Sequence, residues 1–321
     1  MMATAHERRG LLLVKSGGEA AVPEWQALFA ELAPGLEVRG WHDPAVEPDA
    51  VTYVLVWEPE PGRLVRYPNL RVIFSSAAGV DHITRDPDLP RGVPIVRMAS
   101  EETAQTVGEY VCLAALSLLR DARRLATAQA QARWDSFEGT RTAFDTRVGV
   151  MGLGNIGQVV ARMLRGLGFP VIGWARRRRP EGAVEAYAGM AELDGFLARS
   201  DILVGLLPET PQTRGLIDRQ RLERLPRGAG IVNAGRGSLI IMPDLIAALD
   251  DGHIGAAFLD VFDPEPLPAD HPAWRHPRIT VTAHVAGFAS RRARTRAVAA
   301  ALTAYERGQA LPNLFNAERG Y

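Results

Sequence analysis

Short apolar runs separated by polar, Pro- and Gly-rich connections recur along the whole chain. In the first hundred residues, Leu11-Leu12-Leu13-Val14, residues 51–57, residues 72–75 and Pro94-Ile95-Val96 read as buried strands, and 24–32 as a helix. Residues 102–133 place Val107, Tyr110, Val111, Leu113, Ala114 and Leu118 in a broad stripe at helical spacing, which predicts one long helix or two abutting ones. A second series of apolar runs follows at 148–151, 171–174, 202–205, 230–233, 256–260 and 279–282, with helical segments between the early ones. Residues 290–306, dense in Arg and Ala, predict a last helix, and 311–321 have no regular period.

Strands alternating with helices predict an α/β fold with doubly wound parallel sheets. A nucleotide-binding domain is expected over 102–289. The terminal helix is expected to return to the first unit, so 1–101 and 290–321 form one smaller, discontinuous domain. A cleft between two hinged lobes is then the expected home of a small molecule. The 321 residues suit two domains, and 47% hydrophobic with 23% charged residues suits a sizeable core.

Charge and cysteine narrow the partners. Lys+Arg and Asp+Glu are 37 each, so no basic surplus points to nucleic acid. Lone Cys112 sits in an apolar stretch and cannot form an internal disulfide. No apolar run approaches the roughly 18 residues of a membrane span, and residues 1–10 lack an apolar signal core. The expectation is a cytoplasmic protein with neither nucleic acid nor membrane as partner.

The most informative run is Val148-Gly149-Val150-Met151-Gly152-Leu153-Gly154-Asn155-Ile156-Gly157. With 31 glycines in the chain, Gly-x-Gly-x-x-Gly spacing carries little alone. Here an apolar strand precedes it and a helical stretch follows. The first glycine then allows the tight turn, the second lets backbone approach a pyrophosphate, and the third permits close helix–strand packing. The helix N-terminus faces the phosphates. A NAD-preferring site places a carboxylate at the end of the next strand, about 20 residues on, to bind the ribose hydroxyls. Here that place reads Ala175-Arg176-Arg177-Arg178-Arg179. Arg forms charge-assisted, bidentate bonds with a 2′-phosphate. The expected cofactor is NADPH, with NADH possible and Arg176 and Arg177 as the contacts; the alternative is an exposed basic loop.

Three polar residues stand where later strands end: Arg236 in Asn233-Ala234-Gly235-Arg236-Gly237, Glu265 in Phe262-Asp263-Pro264-Glu265-Pro266, and His284 in Thr282-Ala283-His284-Val285-Ala286-Gly287. The carboxyl edge of an open α/β sheet is where ligands bind. A guanidinium, a carboxylate and an imidazole there suggest anion binding coupled to proton transfer. The remaining histidines are read as structural. His271 and His276 lie near each other, but no Cys or carboxylate set completes a metal site.

These motifs resemble the D-2-hydroxyacid dehydrogenase family over nearly the whole chain, including Ala77-Ala78-Gly79-Val80-Asp81 in the first domain. The Arg-rich turn and the ending Asn316-Ala317-Glu318-Arg319-Gly320-Tyr321 resemble its glyoxylate/hydroxypyruvate reductase A branch. The resemblance implies a Rossmann-type nucleotide-binding domain and a flavodoxin-like substrate domain. It implies that Arg236 holds the substrate carboxylate and that His284 donates a proton to the carbonyl oxygen as NADPH delivers hydride. Glu265 would hydrogen-bond the other imidazole nitrogen; a carboxylate there favours imidazolium and raises the His pKa. Ala78 and Gly79 resemble the family's backbone donors to the substrate carboxylate. Asp260 matches a position expected at the nicotinamide carboxamide, with capping of its own turn as the alternative. Leu206, Leu207 and Pro208 are expected on the adenine and ribose side, Thr106 against the cofactor, and Ala234, Gly235 and Gly287 beside it. Trp134 reaches the substrate pocket or packs an interface. A homodimer through the nucleotide-binding domain and the 102–133 helices is implied, with the 319–321 tail near its interface. Ala283 departs from the Pro found there in many relatives.

The resulting expectation is NADPH-dependent reduction of small 2-keto acids, glyoxylate and hydroxypyruvate, to D-2-hydroxy acids. Other readings are a bulkier 2-keto acid, phosphite oxidation, or a cofactor-sensing binding protein of the corepressor type. Formate oxidation fits less well, because that relative has Gln where Glu265 stands.

Overall fold

The computed structural model describes residues 10–139, 141–177, 184–318 and 320. Residues 1–9, Arg178, Arg179, Arg319 and Tyr321, on which some sequence expectations fall, lie outside the described residues. The chain forms two compact units. One runs through Thr103 and resumes at Ala289; the other is Ala104–Phe288.

The first unit holds strands β1 (Leu11–Lys15), β2 (Glu37–Gly40), β3 (Val51–Val56), β4 (Val72–Ser75) and β5 (Ile95–Val96), with helices α1 (Val22–Leu32) and α2 (Asp81–Thr84). The second holds most of α3 (Glu101–Leu119), then α4 (Ala122–Ala130), β6 (Val148–Met151), α5 (Asn155–Gly166), β7 (Val171–Ala175), β8 (Glu185–Ala188), α6 (Leu193–Leu197) and β9 (Ile202–Gly205). It continues through α7 (Arg219–Leu222), β10 (Ala229–Asn233), α8 (Met242–Asp250), β11 (Ile254–Leu259) and β12 (Ile279–Val281). Helix α9 (Arg291–Glu306) belongs to the first unit.

The first sheet has the order β2-β1-β3-β4-β5, all neighbours parallel. Alternate side chains serve opposite faces, as the period of a strand requires. Leu12, Val14, Tyr53 and Leu55 meet Trp25 and Phe29 of α1 and Val298 and Leu302 of α9, while Leu11, Leu13, Val54 and Val56 pack with Trp41, Leu64 and Ile83. Both faces are covered, so the central strands read as continuous apolar runs. Helix α9 is pinned to α1 by apolar packing and by Arg292 Nη1 donating to Glu31 Oε2 at 3.0 Å. Its N-cap Ser290 accepts from the Ala293 N–H at 3.1 Å, which fixes where the helix starts.

The second sheet has the order β12-β11-β10-β9-β6-β7-β8, again parallel throughout. Strand β6 has β9 on one side and β7 on the other, so the chain direction of successive crossovers reverses there. Such a switch point opens a crevice at the carboxyl ends of the strands. Two strands escaped the sequence reading. Strands β2 (Glu-Val-Arg-Gly) and β8 (Glu-Ala-Tyr-Ala) lie at sheet edges, are partly exposed, and carry no apolar run. The 102–133 helix is broken in two: Asp121 takes φ 49°, a left-handed conformation that cannot continue α3 and instead starts α4.

Candidate active site

The turn after β6 holds its three glycines for three reasons. Gly152 has φ 107°, and a Cβ on it would stand 3.0 Å from the Leu206 carbonyl oxygen. Its N–H donates to the Trp174 carbonyl at 2.8 Å, tying the turn to β7. At Gly157 a Cβ would stand 1.8 Å from the Gly152 carbonyl oxygen, so only glycine lets α5 start this close to the strand. Gly154 differs from both. Its φ is −72°, and a Cβ there would meet nothing within 4 Å. Neither backbone angle nor the chain's own packing asks for glycine at that position. The open space lies at the N-terminus of α5, where the first-turn N–H groups have no intrahelical acceptor. An anion laid against this backbone would fill it, and the geometry therefore fits a dinucleotide pyrophosphate. Around the turn, Leu153 is buried against Gly173, Ile156 is half-buried and Asn155 is exposed.

Past β7, Ala175 is half-buried and Arg176 and Arg177 are exposed. No carboxylate occurs among these strand-end residues. Past β9, the Leu206 N–H donates to the Met151 carbonyl at 3.0 Å, and Leu207 is buried. Gly235 must be small, because its Cβ would stand 2.9 Å from the Leu207 carbonyl oxygen. The ends of β6, β9 and β10 are thus packed backbone to backbone. Pro208, Ala234 and Thr106 are half-buried and Gly287 is exposed.

Three turns at the same sheet edge carry the guanidinium, the carboxylate and the imidazole. After β10, buried Asn233 shapes the first: its Nδ2 donates to the Arg236 carbonyl at 2.9 Å, and its Oδ1 accepts from the Gly235 N–H at 3.2 Å. Asn is suited to such a turn because its amide mimics backbone groups. Gly237 follows, and a Cβ there would stand 2.0 Å from the Phe262 carbonyl carbon. The Arg236 turn therefore sits directly on the second turn, where the Phe262 N–H donates to Glu265 Oε1 at 2.8 Å. The other carboxylate oxygen of Glu265 is 2.7 Å from His284 Nδ1. Burial alone pushes the Glu265 carboxyl up. The hydrogen bonds from His284 and the Phe262 N–H, with the charges of His284 and Arg236, outweigh it and hold the group below its ordinary value. Glu265 is therefore a carboxylate that accepts from imidazole Nδ1–H, leaving Nε2 as the nitrogen that can exchange a proton with a bound molecule.

The third turn places His284 at φ 53°, rare for a residue with a side chain. Asp260 holds it. Its carbonyl accepts from the His284 N–H at 2.8 Å; its Oδ1 accepts from the Val285 N–H at 2.9 Å and its Oδ2 from the Ala286 N–H at 2.8 Å. Asp260 is 1% exposed. The turn its carboxylate holds is the one after β12, not the turn of its own strand that the sequence offered as the alternative. Asn233 was not singled out from sequence, although a buried Asn between a strand end and Gly-Arg-Gly is a turn signal. His284 and Glu265 come together as the strand-end positions suggested, and Arg236 acts on Glu265 through its charge.

The remaining expected residues stand elsewhere. Ala78 and Gly79, half-buried, follow β4 in the first unit. Buried Ser75 braces this loop: its Oγ lies 3.0 Å from the Ala77 carbonyl and 2.9 Å from that of Gly79, and accepts from the Ala77 N–H at 3.2 Å. Among the described residues, the N–H groups of Ala78 and Gly79 have no acceptor. Two adjacent free N–H groups on a braced loop suit an anionic oxygen. Trp134 is 95% exposed. Among the described residues no cluster of metal-ligating side chains occurs, and no helix is long and apolar enough to cross a membrane.

The chain is similar to known proteins over most of its length. The family model for the D-isomer specific 2-hydroxyacid dehydrogenase, NAD binding domain, matches residues 112–286. Over 303 residues the chain is 34% identical to a glyoxylate/hydroxypyruvate reductase A of Serratia proteamaculans, covering 93% of this chain and 96% of that one. Its fold is similar to that of a D-isomer specific 2-hydroxyacid dehydrogenase of Xanthobacter autotrophicus solved with NADPH and MES, with TM-score 0.90, 37% identity, and 97% and 99% of the two chains covered. It is likewise similar to an NADPH-dependent glyoxylate/hydroxypyruvate reductase of Sinorhizobium meliloti solved with NADP and sulfate, with TM-score 0.89, 37% identity, and 97% and 100% covered.

Proposed function

Because the chain belongs to the D-isomer specific 2-hydroxyacid dehydrogenase family, we propose that it is an NADPH-dependent reductase of small 2-keto acids, glyoxylate and hydroxypyruvate, yielding the D-2-hydroxy acids. The observation that carries this reading is the 2.7 Å contact between His284 Nδ1 and Glu265 at the carboxyl edge of the sheet, on a turn packed against the one that bears Arg236.

When bound, NADPH supplies the hydride that reduces the carbonyl carbon. The chain's own residues do the rest. Arg236 pairs its planar guanidinium with the substrate carboxylate, which turns the neighbouring carbonyl into one orientation. Glu265 accepts from Nδ1–H and stabilises the imidazolium, and His284 Nε2 gives its proton to the carbonyl oxygen. The imidazole is then neutral; its side chain is 33% exposed, so solvent can reload it. Asp260 fixes the direction of the imidazole by holding its backbone. The turn of Gly152, Leu153, Gly154, Asn155, Ile156 and Gly157 cradles the pyrophosphate, and Arg176 and Arg177 take the 2′-phosphate. NADPH and NADP in the solved relatives support NADPH as the cofactor.

A homodimer fits the second unit. Leu113 is 59% exposed, Leu125 44%, Phe144 76% and Trp134 95%. Leu113 of α3 and Leu125 of α4 lie on the helices expected at the interface, where a partner would cover them. Trp134 would then contact substrate or interface only in the assembled dimer. Light scattering should give about twice the 34.9 kDa chain mass, and a monomer would remove this part of the reading.

The direct test is initial-rate oxidation of NADPH and NADH with glyoxylate, hydroxypyruvate, pyruvate, phenylpyruvate and 2-ketoglutarate. Fast NADPH turnover with the first two is expected. Preference for a bulky acid would move the substrate, and tight NADPH binding with no turnover would favour a sensing protein.

A further inference from the structure

The clamp on the His284 turn does not end at Asp260. Thr282 Oγ1 is 2.6 Å from Asp260 Oδ1, and the Tyr110 hydroxyl is 2.7 Å from Thr282 Oγ1. A carboxylate only accepts, so the Thr282 hydroxyl must spend its one proton on Asp260. Thr282 can then only accept from Tyr110, and the direction of the chain is set: Tyr110 donates to Thr282, and Thr282 to Asp260.

Tyr110 stands on α3, far in sequence from the turn, and is 9% exposed. Its ring is held edge-on against Phe258 of β11 at 5.6 Å between centroids. This leaves the hydroxyl little freedom to choose another partner. The receiving carboxylate has three donors: the Thr282 hydroxyl and the N–H groups of Val285 and Ala286. Those last two residues directly follow His284, whose left-handed backbone conformation needs outside support to persist. Without the hydroxyl chain, the Asp260 carboxylate could turn about its own side-chain bonds, and the turn would lose its fixed reference.

We propose that Tyr110 is a positioning residue, which acts through Thr282 and Asp260 to hold the His284 turn in the conformation proton donation requires. This inference rests on the reading of His284 as proton donor. It assigns a role in the reaction to a tyrosine that has no place among the groups meeting substrate or cofactor.

The test compares Tyr110→Phe, Thr282→Val and Thr282→Ser in the full chain. Tyr110→Phe keeps the ring on Phe258 and removes one hydroxyl, so the fold should persist. Three readouts are taken: kcat for glyoxylate reduction, the dissociation constant for NADPH, and amide hydrogen exchange over residues 282–287 without cofactor. For Tyr110→Phe, kcat should fall about 3- to 10-fold, the scale of one hydrogen bond. Exchange in 282–287 should accelerate by a similar factor, with NADPH affinity within about twofold of the parent. Thr282→Val should lose more, and Thr282→Ser, which keeps the hydroxyl, should recover most of the parent kcat. Unchanged exchange and kcat in both Tyr110→Phe and Thr282→Val would overturn the proposal. So would faster exchange without loss of kcat. His284→Ala separates the two readings: if it keeps full turnover, the proton-donor reading has failed, while exchange still judges the clamp. If it is inactive and Tyr110→Phe is normal in every readout, only the clamp has failed.

Discussion

Gly154→Ala separates what the fold needs from what the cofactor needs. A Cβ at Gly154 meets no atom of the chain within 4 Å, and its φ of −72° is open to any residue. Two small effects on stability oppose each other. Alanine is a poorer N-cap than glycine by about 0.5–1 kcal/mol. It also restricts the unfolded chain, which stabilises by about 0.4–1 kcal/mol. The melting temperature should therefore stay within about 2 °C of the parent. Cofactor binding should respond quite differently. The new methyl group would occupy the space a pyrophosphate needs; such overpacking costs about 1–3 kcal/mol. It would also lengthen a charge-assisted N–H bond worth about 1.5–3 kcal/mol. Since the phosphates can shift in part, about 2–4 kcal/mol is expected, or roughly 30- to 700-fold weaker NADPH binding. Gly157→Ala is the counterpart. Its Cβ would stand 1.8 Å from the Gly152 carbonyl oxygen, so backbone must move, and stability should fall by about 3 kcal/mol or more. The assay pairs thermal melting without cofactor with NADPH titration by intrinsic fluorescence. If Gly154→Ala melted as early as Gly157→Ala, or bound NADPH within threefold of the parent, the reasoning about that turn would be wrong.

Three further outcomes are expected. His284→Ala should lower kcat by about 100-fold or more while leaving NADPH affinity near the parent value; a kcat within threefold of the parent would remove its role as proton donor. Replacing Arg176 and Arg177 with Ala should raise KM for NADPH by about 10-fold or more and change KM for NADH little, because only the former carries the 2′-phosphate; equal shifts for both would contradict the assignment. Glu60 accepts from the Trp41 indole and from Lys15. Although burial opposes ionisation, these bonds and its own N–H bring its pKa down to about 2. A depressed folded-state pKa means its stabilisation is complete above the ordinary Glu value of about 4.3 and is lost as pH falls toward 2. Melting curves of Glu60→Gln and parent should differ most above pH 5 and converge near pH 2; a constant offset over that range would refute the linkage.

Much of this was legible in the chain, for reasons that vary by element. Strands covered on both faces, such as β1 and β9, announce themselves as short apolar runs. Edge strands β2 and β8 bury less and resemble loops. The strand-end placement of Arg236, Glu265 and His284 followed from alternation of elements, because a parallel sheet sends the ends of β10, β11 and β12 to one edge. What holds them could not be read the same way. The bond from Asn233 to the Arg236 turn is local and could have been suspected from Asn before Gly-Arg-Gly. The grip of Asp260 on residues 25 and 26 positions away, and of Tyr110 on Thr282 across 172 positions, depends on which elements become neighbours. Spacing along the sequence carries no record of that choice. At Asp121 the sequence left one long helix and two abutting ones both open, since apolar spacing continues on both sides of it, and the structure takes the second.

The return of α9 to the first unit also bears on how the chain is made. Leu12, Tyr53 and Leu55 share one apolar face with Trp25 of α1 and with Val298 and Leu302 of α9. The contact between Arg292 and Glu31 spans 261 positions. A ribosome delivers α9 only after all of Ala104–Phe288 has been synthesised. At about 5–20 residues per second, the first sheet waits many seconds with part of that face uncovered, while the second unit already has its whole sequence. The unit begun first is therefore finished last, and its half-covered sheet is the surface a ribosome-bound chaperone would find.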